Sequence, residues 1–240
     1  MKYDSIFDSE ENKTLITICA RKLISNIAIG SIIWGAINIL IGIAAMKDTV
    51  INVVILILGI MMLGTGIRAI KHPSIGSILT QTIVMLLLFF WNLFVTVINA
   101  LAGEKFEPQG VIFAFVIAII FALNYARLRR FRNAIESINK DKLKSFSEIC
   151  KTILKKKPKN DPLLAQTADS KTYLQCMGDK AFFIQKDMMR AFVCDKDKVK
   201  KAVLKPESKK WNLLFNHPLG RLKYNFNADN TSKIVSWLGQ

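Results

Sequence analysis

The sequence predicts a membrane α-helical fold class: a four-helix transmembrane bundle followed by a small α+β domain, an antiparallel sheet with a C-terminal helix. Three observations predict it. Four long apolar segments follow one another between Leu23 and Ala126 with only short polar gaps. Charge is divided unevenly, with 8 Lys/Arg against 7 Asp/Glu in residues 1–126 but 26 against 11 in residues 127–240. Beyond the last apolar segment the hydrophobic period changes to short runs bounded by Gly, Asp and Pro.

The apolar segments are Leu23–Met46, Val50–Ile70, Gly76–Leu101 and Gly110–Ala126, and Arg68 is the one charged residue within them. The first three exceed the ~20 residues that cross ~30 Å of hydrocarbon, and the fourth, with its core from Val111, falls just under the usual ~17–25. Buried helices of a soluble bundle would present polar faces, and these do not. Residues 1–22 read as a separate polar arm. The first segment is too long for the apolar part of a cleaved signal peptide and reads as a retained anchor.

Basic residues concentrate in short cytoplasmic segments. Here they lie in the arm (Lys2, Lys13, Arg21, Lys22), in the second gap (Arg68, Lys71) and after the fourth segment (Arg127, Arg129, Arg130, Arg132), against one each, Lys47 and Lys105, in the other gaps. Both termini are therefore expected in the cytoplasm, in a bacterial-type plasma membrane. The excess charge of residues 127–240 seeks anionic surfaces.

Within the first span Ala28, Ser31, Gly35, Asn38, Gly42 and Ala45 recur by steps of three and four, a seam of small or amide residues that lets a neighbouring helix approach closely. Asn52, Gly59 and Gly66 repeat the theme in the second, and Ala114, Ala118, Ala122 and Ala126 step by four in the last. The third is the most polar, with Thr80, Gln81 and Thr82 at its inner end and Asn92, Thr96 and Asn99 on one face further out. Asn38, Asn92, Thr96 and Asn99 admit two readings: amide pairs that fix helix register, or the polar face of a small channel or transporter subunit. Against the second, no Asp, Glu, His or Lys lies inside the spans, where a proton-coupled carrier places its working charge.

After the fourth span, Leu128, Phe131, Ile135, Ile138, Phe146, Ile149 and Ile153 recur at helical spacing among Arg and Lys, a basic amphipathic helix with linker over residues 127–160. Its apolar side is expected to lie along lipid headgroups or to pair with the same helix of another subunit. The Lys155–Lys157 run and the prolines at 158 and 162 end it. An α+β domain over residues 161–240 follows. Thr172–Met177, Ala181–Gln185 and Met189–Cys194 read as strands, Lys196–Lys210 as a basic loop or short helix, and Lys209–Phe215 with Leu222–Phe226 as a hairpin. A final helix carries Ile234, Val235, Trp237 and Leu238 behind a cap at Asp229 or Thr231.

The strand–turn–strand stretch Ala181–Cys194 (AFFIQKDMMRAFVC) and the closing Thr231–Leu238 (TSKIVSWL) resemble bacterial pleckstrin-homology-like or GRAM-like domains over roughly residues 170–240, with about five strands where the full fold has seven. The resemblance implies a domain that binds phosphoinositides, membranes or protein partners. No ligand motif of that family transfers residue by residue.

Cys19, Cys150, Cys176 and Cys194 form no C-x-x-C pair, and the two histidines, His72 and His217, are far apart, so neither a metal nor another cofactor is expected. No nucleophile elbow, zinc-protease motif or phosphate loop occurs, which points away from an enzyme. The expected function is docking of the basic domain on the anionic inner leaflet, or on a partner held there, through Arg127, Arg129, Arg130, Arg132, Lys155, Lys156 and Lys157. A protein partner or a homo-oligomer fits the same charge. Nucleic acid fits it less well, because aromatic residues interleaved with basic ones are sparse.

Overall fold

The computed structural model describes residues 5–44, 49–103, 108–132, 135, 140–156, 161–201, 203–207 and 210–239. Two compact units divide the chain, Leu23–Glu136 and Met1–Lys22 together with Ser137–Gln240.

The first unit holds four helices long and apolar enough to cross a membrane: α1 (Glu10–Ala44, whose first turns belong to the second unit), α2 (Thr49–Lys71), α3 (Ile75–Leu101) and α4 (Gln109–Arg129). This is an integral membrane protein with a helical membrane domain. Leu58 and Met62 of α2, Val84, Met85 and Leu88 of α3, and Ala118 and Phe121 of α4 form one buried cluster. Ile57, Ile60, Phe90, Phe94, Ile112, Ile119 and Leu123 point outward, large apolar side chains that hydrocarbon rather than water would cover. Ser74 caps α3, its hydroxyl accepting from the Ser77 N–H at 3.2 Å.

The small-residue seam of α1 faces inward, with Ala28, Ser31, Gly35, Asn38 and Gly42 all buried. A Cβ on Gly35 would stand 2.8 Å from the Gly59 carbonyl oxygen and from the Leu63 nitrogen, and one on Gly59 would stand 2.9 Å from the Gly35 oxygen and the Ile39 nitrogen. The two backbones therefore touch, which no side chain larger than hydrogen permits. Gly66 repeats this approach about two turns away, over the Ala28 oxygen and Ile32. On α4 the stripe is only half used: Ala114 and Ala118 are buried, Ala126 exposed.

The second unit is a sheet domain with seven strands among the described residues. A four-stranded antiparallel meander, β1 (Leu164–Gln166), β2 (Thr172–Met177), β3 (Lys180–Gln185) and β4 (Ala191–Asp195), accompanies a three-stranded one, β5 (Val203–Glu207), β6 (Lys210–His217) and β7 (Gly220–Phe226). Helices α5 (Lys140–Lys155), α6 (Lys196–Lys201) and α7 (Ala228–Leu238) complete it. Along β7, buried Leu222, Tyr224 and Phe226 alternate with exposed Arg221, Lys223 and Asn225, as in a sheet with one covered face. The inward residues meet those of the other sheet in an aromatic core. Phe183 and Phe192 stack with centroids 4.6 Å apart, Phe215 approaches them edge-on at 5.2 and 4.9 Å, and Tyr224 lies 5.2 Å from Phe183.

Several sequence-based expectations need correction here. Residues 5–22 are not a separate arm, and residues 1–4 lie outside the described residues. Within a 3-10 turn at Ser5–Asp8, Phe7 is buried against Phe192 at 5.3 Å and His217 at 4.8 Å. Asn12, 1% exposed, accepts from the Val193 N–H at 2.7 Å and donates to the Val193 carbonyl at 2.7 Å. β4 is the last strand of its sheet, and the Asn12 amide supplies the pair of bonds that a neighbouring strand would give. Lys180 and Glu11 add an ion pair at 2.7 Å.

The amphipathic helix is likewise used within the chain. Leu143, Cys150 and Ile153 of α5 are buried in the sheet domain, where α5 packs on β2, while Phe146 is half-buried and Ile149 exposed. Two strands were missed, the three-residue β1 and β5 inside the Lys-rich segment read as loop or short helix. The third expected strand starts two residues late, because Lys186–Arg190 form a turn with Met188 at φ 59°. The closing helix is capped by Asn227, whose side chain accepts from the Asn230 N–H at 3.0 Å, rather than by Asp229 or Thr231.

Candidate functional site

The predicted basic residues fall into different units. Arg127, Arg129, Arg130 and Arg132 lie exposed in the last turn of α4 and just beyond it. Lys155 is exposed at the end of α5, and Lys157 lies outside the described residues. Lys156 is engaged within the chain, donating to Asp161 at 3.0 Å and to the Gln175 side chain at 3.1 Å, so its charge ties the segment after α5 to β2.

Of the intramembrane polar residues, Asn38 and Asn92 turn back on their own helices, Nδ2 donating to the Trp34 carbonyl at 2.8 Å and the Leu88 carbonyl at 2.7 Å. The Asn92 oxygen faces Gly110 on α4. Thr96 and Asn99 are half-buried on α3. These bonds answer the cost of amide donors in hydrocarbon without joining helices.

A cavity of about 460 Å³ in the sheet domain gathers a different set of charges. Its walls are the β1–β2 turn, β7 from Arg221 to Asn225, and Gln185 and Arg190 at the two ends of the β3–β4 turn. The first turn is tightly self-bonded. Asp169 accepts from the Thr167 hydroxyl at 2.7 Å and the Lys171 N–H at 3.1 Å, while the Thr172 N–H donates to the Thr167 oxygen at 3.0 Å. The Ala168 N–H donates to the Asn225 carbonyl at 2.7 Å and fastens the turn to β7. The hydroxyl of Thr167 holds the Asp169 carboxyl below its ordinary range, outweighing partial burial.

Against this one engaged carboxylate the cavity presents Lys171, Arg190, Arg221 and Lys223. Among the described residues Arg190, Arg221 and Lys223 make no ion pair. Asp187 in the adjacent turn is spent on its own loop, accepting from the Met189 N–H at 2.9 Å. Guanidinium and ammonium groups that line one cavity with no carboxylate paired to them offer several N–H donors to the oxygens of a phosphate or a similar anion.

The half-buried Arg190 also acts on the groups behind the cavity. Burial pushes the Tyr224 phenol up, and Arg190 opposes that shift. Burial first and then Arg190 push His217, whose Nδ1 accepts from the Leu219 N–H at 3.0 Å, from its ordinary 6.5 down to about 3. Between these values the unfolded chain binds a proton that the folded one refuses. The sheet domain is therefore expected to keep this stability above about pH 6.5 and to lose it as pH falls towards 3, by on the order of 5 kcal/mol. Urea midpoints of the full chain measured from about pH 7 to 4 check this. His217→Asn, which keeps an acceptor for Leu219, should flatten the profile, and an unchanged slope would assign the effect to other groups. Burial likewise raises the thiols of Cys150 and Cys176, to about 11 and about 12, so both stay protonated.

Sequence reading missed this cavity because its cations are scattered along the chain. The available signal was the outward alternation of Arg221 and Lys223 on β7. No protein-family model matches the chain, and no curated protein or solved structure is significantly similar to it.

Proposed function

We propose that this is a non-enzymatic multi-pass protein of a bacterial-type plasma membrane, both termini cytoplasmic, whose sheet domain docks on the anionic inner leaflet by taking phosphate headgroups into the cavity at Arg190. The single observation that carries this reading is the convergence of Arg190, Arg221 and Lys223 in that cavity with no ion pair among the described residues. The Lys/Arg distribution around the four spans supports the orientation. Exposed Arg127, Arg129, Arg130 and Arg132 add non-specific attraction to the same leaflet.

The two antiparallel meanders and the closing helix α7 support the pleckstrin-homology-like resemblance, since seven strands stand among the described residues where the sequence suggested about five. In that reading the headgroup contact comes from the β1–β2 turn, Arg190 and β7.

The full chain reconstituted in phosphatidylcholine nanodiscs, with or without phosphatidylglycerol, tests the proposal by hydrogen exchange. Residues 167–172 and 185–190 are expected to gain protection in the anionic discs and to lose it in high salt. At about 1 kcal/mol per cation near an anionic leaflet, Arg190→Gln with Arg221→Gln should weaken that engagement roughly thirtyfold. Equal protection in neutral and anionic discs would overturn the reading.

A further inference from the structure

We propose that the cavity and the seat of the N-terminal segment are linked sites, so that an anion held by Arg190 tightens the grip of β4 on the first turns of α1. This rests on reading the cavity as an anion site. Four consecutive residues carry the inference. Arg190 lines the cavity, and the next residue, Ala191, meets Cys19 of α1 through its backbone. Phe192 packs on Phe7, and Val193 is held through both its N–H and its carbonyl by Asn12. No flexible residue separates the cavity from the seat. Arg190 also ends the β3–β4 turn, where Met188 holds φ 59° through bonds from the Met188 N–H to the Gln185 carbonyl and from the Met189 N–H to Asp187. A non-glycine residue held in this region is strained, and such positions cluster at ligand clamps and switch regions.

An anion among Arg190, Arg221 and Lys223 removes their mutual repulsion and fixes the position of Arg190, and hence of the strand that begins beside it. The seated segment is favoured by the anion, and by reciprocity the anion by the seated segment. Because α1 continues unbroken from Glu10 to Ala44, the element so held is also the one that enters the first span.

The experiment uses the full chain in neutral nanodiscs with inorganic pyrophosphate as the probe. Calorimetry reads binding, and hydrogen exchange of the peptide covering Ala191–Asp195 reads the seat. Saturating pyrophosphate is expected to slow exchange at Val193 about fivefold or more, the lower end of typical couplings. Arg190→Gln should remove both the binding and the slowing, and a folded Asn12→Ala variant should bind pyrophosphate more weakly by the same factor. If Asn12→Ala does not fold, the wild-type exchange measurement decides alone. Pyrophosphate that binds while Val193 exchange is unchanged would overturn the linkage and leave the anion site standing. No binding to the wild type would overturn both.

Discussion

Asn12→Leu is expected to destabilise the sheet domain by about 3 kcal/mol or more. The substitution strands three backbone groups, the N–H and carbonyl of Val193 and the carbonyl of Ile6, to which Asn12 donates at 2.7 Å. A buried group left without its partner costs about 1–3 kcal/mol. Domains of this size have roughly 5–15 kcal/mol in total, so the loss is a large fraction of it. Limited proteolysis of residues 161–240 in the full chain across a urea series measures the effect. Lys13→Ala on the same helix serves as the control, since its side chain is about half exposed and makes only a 3.8 Å ion pair to Glu10. If Asn12→Leu resists urea as the wild type does, the Val193 groups have found water and Asn12 is dispensable. The same reasoning predicts that residues 127–240 expressed alone will be poorly folded, because Phe7, Asn12, Leu15, Ile16 and Cys19 are all buried in their unit.

Gly35→Val and Gly59→Val are expected to have comparably large effects on the membrane domain. The atoms that the new side chain would meet at 2.8–2.9 Å are backbone oxygens and nitrogens of the facing helix, which no rotamer change moves aside. Relief requires α1 and α2 to separate and to forfeit the close contact that holds helices together in lipid. Overpacking of this kind costs about 1–3 kcal/mol or more per site. Gly30→Val on the same helix meets nothing within 4 Å and is the matched control. Thermal aggregation of the detergent-purified protein, read by size-exclusion chromatography, should rise sharply for Gly35 and Gly59 variants and stay near wild type for Gly30. Equal behaviour of all three would mean that the contact carries little of the stability.

The membrane domain was legible because its signals are local and continuous: length, apolarity, and a seam of small residues whose step matches the helical period. The alternations of β6 and β7 were legible for the same reason. The sheet edges were not. β5 hides among lysines, and β1, three residues long, is too short to show a period. The mutual burial of the first helical turns with β4 depends on pairings between residues about 180 positions apart, such as Asn12 with Val193, and no local pattern reports them. Of the α5 positions that the period picks out, Ile153 is buried, Phe146 half-buried and Ile149 exposed; the buried side runs through Leu143 and Cys150 and packs on β2, a partner that periodicity cannot name. The cavity cations were equally hidden: Lys171, Arg190 and the Arg221 and Lys223 of β7 come from three places in the chain, whereas the contiguous clusters Arg127–Arg132 and Lys155–Lys157 drew attention by density alone.

In the proposed function the sheet domain takes anionic phosphate headgroups into the cavity beside Arg190. The most direct test is equilibrium binding of water-soluble short-chain phosphatidate and short-chain phosphatidylcholine to the detergent-purified full chain, with Arg190→Gln/Arg221→Gln alongside. Saturable binding of the anionic lipid that weakens with salt, is absent for phosphatidylcholine and falls roughly thirtyfold in the double variant is the predicted result. Equal binding of both lipids, or undiminished binding by a folded double variant, would contradict it.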